Sequence, residues 1–382
     1  MDDTKTLPKT EPRASAAGPI ERIETYCMEL PYRKAVHFKS VSEAVGPFFL
    51  IKIVTRDGAE GIADCVARPA QYGEDPRRLA HAIETYLKPM LLGEDPLDHN
   101  RLLAKMATLK GLRTERALID IALWDIKGKL LNQPVFRLLG GGPAEPIPVT
   151  WIVHGGPVST MIDEAVAAVR GRGYRGLKIK VWRRSMEDIA MVRDIRREVG
   201  DKTLIYVDAN SACTESEARV LLSRLTDYNV AFIEDPCAFS DPRRMALMAR
   251  ALPIPLLGDS CCGTLADVNL MIGLGAIGAA NIKPRRSGIT EFLKTVALCE
   301  AAQIPVIIGT DSETRIGAHV RAHLRAAVPH LAPWPTETHF FEKLADDVFA
   351  GTFEFRDGTI TVPDAPGFGV GIDAAKLKKY SV

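Results

Sequence analysis

From Pro148 onward the apolar positions fall into short β-rich runs, each followed by a stretch with helical period. The runs are Val149 to His154, Leu177 to Val181, Leu204 to Asp208, Ala231 to Glu234, Leu256 to Asp259, Ala279 to Lys283, Val306 to Gly309 and Leu331 to Pro335. Between the second and third, Ile189, Val192, Ile195 and Val199 form an apolar stripe that Gly200 ends, as expected of an amphipathic helix lying on a sheet. Eight strand-plus-helix units repeating at about 25 residues predict parallel pairing and closure into a barrel. An open doubly wound sheet would want a glycine-rich phosphate turn after its first strand, and His154-Gly-Gly156 matches that poorly.

Upstream the pattern differs. Residues 1 to 18 are polar, contain proline and lack any period, which predicts a disordered tail. Ile20 to Leu30 and Pro47 to Thr55 read as strands, the second stopped by the turn signal Arg56-Asp-Gly58. Pro31 to Ser42, carrying Tyr32, Arg33, Lys34, His37 and Lys39, is too long for a simple hairpin loop and reads as a solvated connection or a lid. From Pro76 to Leu139 the period is helical, with a small and apolar face (Ala117, Ile121, Trp124, Gly128) that suggests close helix packing after a start near Thr114. Gly140 to Pro146 reads as a linker.

A net charge of +1 gives no electrostatic case for nucleic acid or an acidic membrane, so the expected partner is a small molecule. No apolar run approaches the roughly 18 residues of a membrane span and no secretory signal opens the chain, which predicts a cytoplasmic protein. The 7 cysteines form no C-x-x-C pair; adjacent Cys261 and Cys262 read as packing at a strand end rather than as a nucleophile.

Strands covered on both faces should be nearly all apolar, so polar residues at their C-terminal ends stand out. Lys178 and Lys180 share one face of the second run, and Asp208, Glu234, Asp259 and Lys283 follow at separations of 26, 25 and 24 residues. All would therefore lie at the end of the barrel where such folds carry their chemistry. Three carboxylates crowded there repel unless a cation sits among them. Oxygen donors without His or Cys suit Mg²⁺ before Mn²⁺, and not zinc. Lysines on both sides of the acids would crowd positive charge, lowering a lysine pKa toward that of a base. Such a site suits removal of a proton α to a carboxylate, where the enediolate needs electrostatic stabilisation.

The set Lys178-x-Lys180, Asp208-x-Asn210, Glu234-Asp-Pro236, Asp259 and Lys283 closely resembles the enolase superfamily, in particular its muconate lactonizing enzyme subgroup. The helix Ala117 to Gly128 followed by Pro134-Val135 and Leu138-Leu-Gly140, and the late Pro366-Gly-Phe-Gly369, extend the likeness from about residue 20 to the C-terminus. The resemblance implies an α/β fold: a modified (β/α)₇β barrel over residues 146–345 and a capping α+β domain over 19–145, to which 346–382 return. It further implies Mg²⁺ on Asp208, Glu234 and Asp259, acid/base roles for Lys180 and Lys283 on opposite substrate faces, Lys178 as electrostatic helper, and a homo-oligomer.

Departures narrow the reading. The mandelate racemase subgroup would carry a His base after the seventh strand, where this chain has Gly309-Thr-Asp-Ser-Glu313. Many relatives have Trp where Cys213 stands and Gln where Asp235 stands, and dipeptide epimerases show Asp-x-Asp where this chain has Thr336-Glu-Thr338. Trp334 reads as a pocket wall, or as a cation–π partner for an ammonium. The candidate substrate contacts are His37, Lys39, Asn210, Glu313 and Trp334. The expected activity is racemisation or epimerisation of an amino-acid derivative (N-acyl, proline-like or betaine); a cycloisomerase of muconate type or a dehydratase would use the same residues. A non-enzymatic binding protein would need the acids or lysines to be missing.

Overall fold

The computed structural model describes residues 18–382 apart from 40, 143–144, 239–240, 329–330 and 332, so the expected disordered tail lies almost wholly outside the described residues. An antiparallel sheet opens the fold: β1 (Ile20–His37), β2 (Ser42–Thr55) and β3 (Glu60–Val66) in sequence order. Pro31 to Ser42 continues the hairpin rather than forming a loop. The two strands continue through it, with an irregularity between Pro31 and Val36, and beyond them the Phe38 N–H donates to Val41 O at 2.8 Å. That bulge lets the outer hairpin bend over the barrel. Helix α1 (His99–Met106) packs against α2 (Arg113–Leu130), which lies on the sheet. The small face of α2 packs as expected: a Cβ on Gly128 would stand 2.6 Å from Gly367 Cα, and one on Gly61 of β3 would stand 2.0 Å from Ala122 O. These are approaches that only glycine permits.

The barrel strands are β4 (Thr150–Val153), β5 (Gly176–Lys180), β6 (Leu204–Asp208), β7 (Val230–Glu234), β8 (Leu256–Gly258), β9 (Ala279–Ile282) and β10 (Val306–Ile308), parallel neighbours in that order. Helices α3 (Val158–Val166), α4 (Met186–Val199), α5 (Glu215–Leu221), α6 (Pro242–Ala251), α7 (Leu265–Leu274), α8 (Pro284–Ala301) and α9 (Arg315–Ala327) follow them in turn. The eighth strand expected over Leu331 to Pro335 does not form there. Its place is taken by Thr336–Glu337: Thr336 N donates to Pro148 O at 2.9 Å, Thr150 N to Thr336 O at 2.8 Å, and Glu337 N to Ile308 O at 3.0 Å. Pro333 and Pro335 have no N–H to give a ladder, so closure waits for the first residues beyond them. The seam thus joins β10 to β4 and completes the (β/α)₇β barrel.

Inside the barrel, Tyr206, Phe232, Leu257, Ala279 and Ile307 form a buried floor. Three of these precede Asp208, Glu234 and Asp259 by two residues, so strand alternation points both members of each pair inward, floor below and acid above. The C-terminus comes back to the first layer through α10 (Ala374–Tyr380): Ser381 bridges Met28, and Val382 N donates to Cys27 O at 3.0 Å.

Candidate active site

The register of neighbouring parallel strands sets Lys180 beside Asp208 and Asp208 beside Glu234, with Asp259 just past the end of β8 and Lys283 just past β9. A cavity of about 540 Å³ opens over them at the C-terminal end of the barrel, lined by Lys178, Lys180, Asp208, Asp259 and Lys283 among others. Each lysine meets an acid. Lys180 Nζ donates to Asp208 Oδ2 at 2.6 Å and Asn210 Oδ1 at 2.8 Å, while Lys283 Nζ donates to Asp259 Oδ2 at 2.8 Å and stands 3.4 Å from Asp311. Lys178 lies deeper, donating to Glu234 Oε1 at 2.7 Å and Glu337 Oε1 at 3.1 Å. Asn210 and Asp235 hold left-handed backbones, φ 43° and 40°, turning the chain sharply after each strand end. Such strain recurs where side chains must be re-aimed over a site. The Asn210 backbone N–H and side-chain amide both donate to Asp208, at 2.8 and 3.2 Å.

Burial and the neighbouring acid Asp208 push Glu234 well above the ordinary carboxyl pKa, with Glu337 and Asp259 adding to it and Lys178 opposing. This is the like-charge crowding expected from the spacing. The expectation of a lowered lysine pKa is not met. Burial and Arg286 pull Lys283 down, but Asp259 and Asp311 outweigh them and its pKa lies above the ordinary value. Lys178 is raised as well, because Glu234, Glu337 and Asp208 outweigh its burial. Without another cation the acids hold these lysines protonated.

The fit to a hard divalent ion rests on the donor set: three carboxylates at successive strand ends, mutually destabilising, with Glu234 Oε2 buried and taking no well-directed hydrogen bond although Lys178 stands 2.7 Å away. Among the described residues, no three acidic, His or Cys side chains converge on one point as they stand. Glu234 is buried beside Lys178, which lines the cavity, and Arg286 Nη1 donates to Asp259 Oδ1 at 2.9 Å. Lys178 and Arg286 hold Glu234 and Asp259 as they stand, and the three carboxylates fit a hard divalent ion by donor chemistry and by their places at successive strand ends.

The substrate candidates divide. Lys39, at the hairpin tip, lines the cavity and donates to Asn210 O at 2.8 Å. Asn210 lines it too. His37 does not; it is exposed and lines a different groove, with Trp151 and Lys343, on the far side of Phe38. Glu313 is buried away from the cavity, bonded to Arg321, Thr310 and the Asp311 N–H. Trp334 is no cavity wall: its ring meets Phe232 of the floor at 4.5 Å, at the opposite end of the barrel, because it precedes the closing residues by two. The aromatic wall is Trp182, whose ring lies 5.9 Å from Lys180 Nζ.

Glu337 was not foreseen. Fully buried, it accepts from Lys178, Tyr206 Oη at 2.7 Å, Asn281 Nδ2 at 3.2 Å and, at its other oxygen, Thr310 N at 3.3 Å. It balances the charge that Lys178 brings beneath the site. A signal existed: Glu337 is an acid just beyond the last β-rich run, the position that singled out the others. Gln71 and Tyr72, from the turn that follows β3, also line the cavity, so the first sheet supplies part of its wall.

Residues 160–376 match the family model described as enolase C-terminal domain-like, and residues 22–140 match the N-terminal domain of mandelate racemase and muconate lactonizing enzyme. The chain belongs to the enolase superfamily, in its muconate lactonizing enzyme subgroup. Among similar members, muconate cycloisomerase 1-1 of Acinetobacter lwoffii is 29% identical over 95% of this chain and 96% of its own. The N-succinyl-L-Arg/Lys racemase of Bacillus cereus is 28% identical over 95% of this chain and 98% of its own, and a crystal structure of it superposes with a TM-score of 0.89 at 27% identity, covering 95% of this chain and 98% of that one. Muconate lactonizing enzyme from Pseudomonas fluorescens, solved with muconolactone, superposes at 0.91 with 28% identity, covering 96% of this chain and all of that one. No described helix is long and apolar enough to cross a membrane.

Proposed function

We propose that this superfamily member is a Mg²⁺-dependent isomerase that removes and returns the proton α to a carboxylate, and that its reaction is racemisation or epimerisation of an N-acylated amino acid. One observation carries the reading: Lys180 and Lys283 stand on opposite sides of the carboxylate set and line the same cavity. A substrate held between them offers its Cα to one ammonium on each face, so a proton taken by one Nζ can be replaced by the other.

Asp208, Glu234 and Asp259 would hold the metal. When bound, a divalent cation would supply Lewis-acid stabilisation of the enediolate and offset the negative charge of Asp259 that raises the Lys283 pKa. Lys180 and Lys283 move the proton at Nζ. Lys178 keeps its proton, because Glu337 and Glu234 surround it, and contributes a fixed positive charge below the reacting carboxylate. Trp182 and the hairpin residues Phe38 and Lys39 exclude water and orient the distal part of the substrate. A betaine loses its support, since Trp334, the ring offered for an ammonium, stands on the barrel floor.

A second reading, cycloisomerisation of a muconate, is favoured by the named activity of several relatives at similar identity. It needs one lysine as the proton-handling group. Incubation in D₂O with Mg²⁺ and paired D and L N-acylamino acids separates the two. The racemase predicts α-deuteration of both enantiomers; Lys180→Ala and Lys283→Ala should each abolish racemisation yet keep exchange of one enantiomer, a different one in each. Consumption of muconate with no α-exchange in any N-acylamino acid would sink the racemase reading.

A further inference from the structure

A second cleft, of about 580 Å³, lies between α1 and α2 of the cap and α8 of the barrel. Its floor is apolar, made by Leu103, Met106 and Ala117. Four cations face it: Arg113 and Arg116 from α2, Arg286 and Lys294 from α8. Two acids, Asp120 and Glu291, line it as well, each held by hydrogen bonds. Asp120 accepts from His99 at 2.5 Å and from the Thr290 hydroxyl and N–H at 2.8 and 2.9 Å, and Glu291 accepts from the Leu265 N–H at 3.2 Å. Arg113 donates to the carbonyls of Gly263 and Arg286, and Arg116 to that of Leu109 at 2.9 Å. Among the described residues no carboxylate stands within ion-pairing distance of Arg113, Arg116 or Lys294.

Arg286 lines this cleft and the catalytic cavity alike. On the catalytic side its Nη1 donates to Asp259 Oδ1 at 2.9 Å and Asp259 O at 3.1 Å, and its Nη2 stands 3.5 Å from Asp311. One guanidinium fork cannot give its full set of donors to both sides.

We propose that this cleft is a second binding site, for a small anion with an apolar body such as an aryl carboxylate, and that its occupant competes with Asp259 for Arg286. Four cations against two acids over an apolar floor attract such a molecule: the net charge sets the sign and the floor selects the body. The coupling follows from the shared arginine. An occupant that draws Arg286 outward frees an oxygen of Asp259, so anion binding in the cleft should raise the affinity of the carboxylate set for a divalent cation, and the reverse by the same factor. The site itself is independent of the proposed reaction; the coupling rests on the metal assignment.

Benzoate is a suitable probe, titrated into the full chain by ligand-observed NMR. We expect one site per chain, weakened about tenfold in Arg116→Gln/Lys294→Gln, as for loss of one charge-assisted hydrogen bond, and unchanged in Lys39→Gln. Should the double variant melt early, Lys294→Gln alone, on an exposed position, should still weaken benzoate about threefold. Undiminished binding in these variants, or equal loss in Lys39→Gln, overturns the site. Calorimetric titration of Mg²⁺ with and without saturating benzoate tests the coupling: tighter Mg²⁺ binding in its presence, lost in the double variant, is expected, and equal affinity overturns it. Absence of any Mg²⁺ binding would instead count against the proposed reaction, and the benzoate titration alone would still decide the site.

Discussion

Asp64, on β3, faces the start of α9, where its Oδ2 accepts from the Thr314 N–H at 3.1 Å while Oδ1 has no hydrogen-bond partner. Glu313 lies close by and Arg321 bonds to Glu313, so one guanidinium serves two buried acids. Burial first, then Glu313, pushes the Asp64 carboxyl up to about 7 from an ordinary 3.8. Because the folded pKa exceeds the unfolded one, the folded chain holds an extra proton between those values, and stability falls as pH rises from about 4 to about 7. At up to about 1.4 kcal/mol per pH unit, falling off as the folded pKa is reached, the loss from pH 5 to pH 7 is about 2 kcal/mol. Asp64→Asn removes the titration and keeps an oxygen for Thr314, at the cost of burying amide hydrogens without assured partners, about 1–3 kcal/mol. Urea unfolding of both proteins at pH 5, 6, 7 and 8, followed by circular dichroism, measures the difference. The variant should be the less stable at pH 5 and gain on the wild type by about 2 kcal/mol by pH 7. A variant-minus-wild-type difference that stays level across this range would refute the assignment of a buried, protonated Asp64.

Glu337→Gln should lower turnover at least tenfold with a smaller effect on KM, since it unbalances Lys178 beneath the reacting centre; steady-state kinetics on a racemised substrate checks this. Lys39→Gln should change KM and substrate preference, and His37→Gln should change neither, because only the first side chain lines the cavity; equal effects would mean the hairpin moves as a unit over the site. Glu234→Gln should abolish Mg²⁺-dependent turnover yet leave the melting temperature equal or higher, because it removes the carboxylate that its neighbours most destabilise; full activity after exhaustive EDTA treatment would defeat the metal assignment.

The barrel and its acid–lysine array were legible because buried parallel strands tolerate so few polar residues that each exception marks a strand end. The same logic stopped one strand early. Pro333-Trp-Pro335 interrupts the eighth run, so the run reads as stopping at Pro335 and the strand-end acid, Glu337, falls two residues beyond it. His37 was misread for a related reason. The basic segment reads as a solvated connection or a lid, whereas the strand runs on to His37 and leaves it in the groove beside Trp151, and Phe38 and Lys39, just past the strand end, line the cavity. Glu313 follows the seventh strand as a site residue should, but Arg321, one turn along α9, claims it. Arg286 and Trp182 lie beyond the strand ends, where a side chain's direction depends on loop backbone that a periodic pattern does not encode.

The seam at Thr336–Glu337 also bears on how the protein is made. Lys178 leaves the ribosome with the first half of the chain, but Glu337 emerges about 160 residues later, the spacing between the two positions. Until then the nascent barrel is open between β10 and β4 and lacks one of the carboxylates that offset the burial of Lys178, a costly position for an ammonium. Strand closure and charge neutralisation therefore arrive in one step, and a chain truncated before residue 336 should be held as an unclosed, chaperone-dependent intermediate rather than as a smaller folded domain.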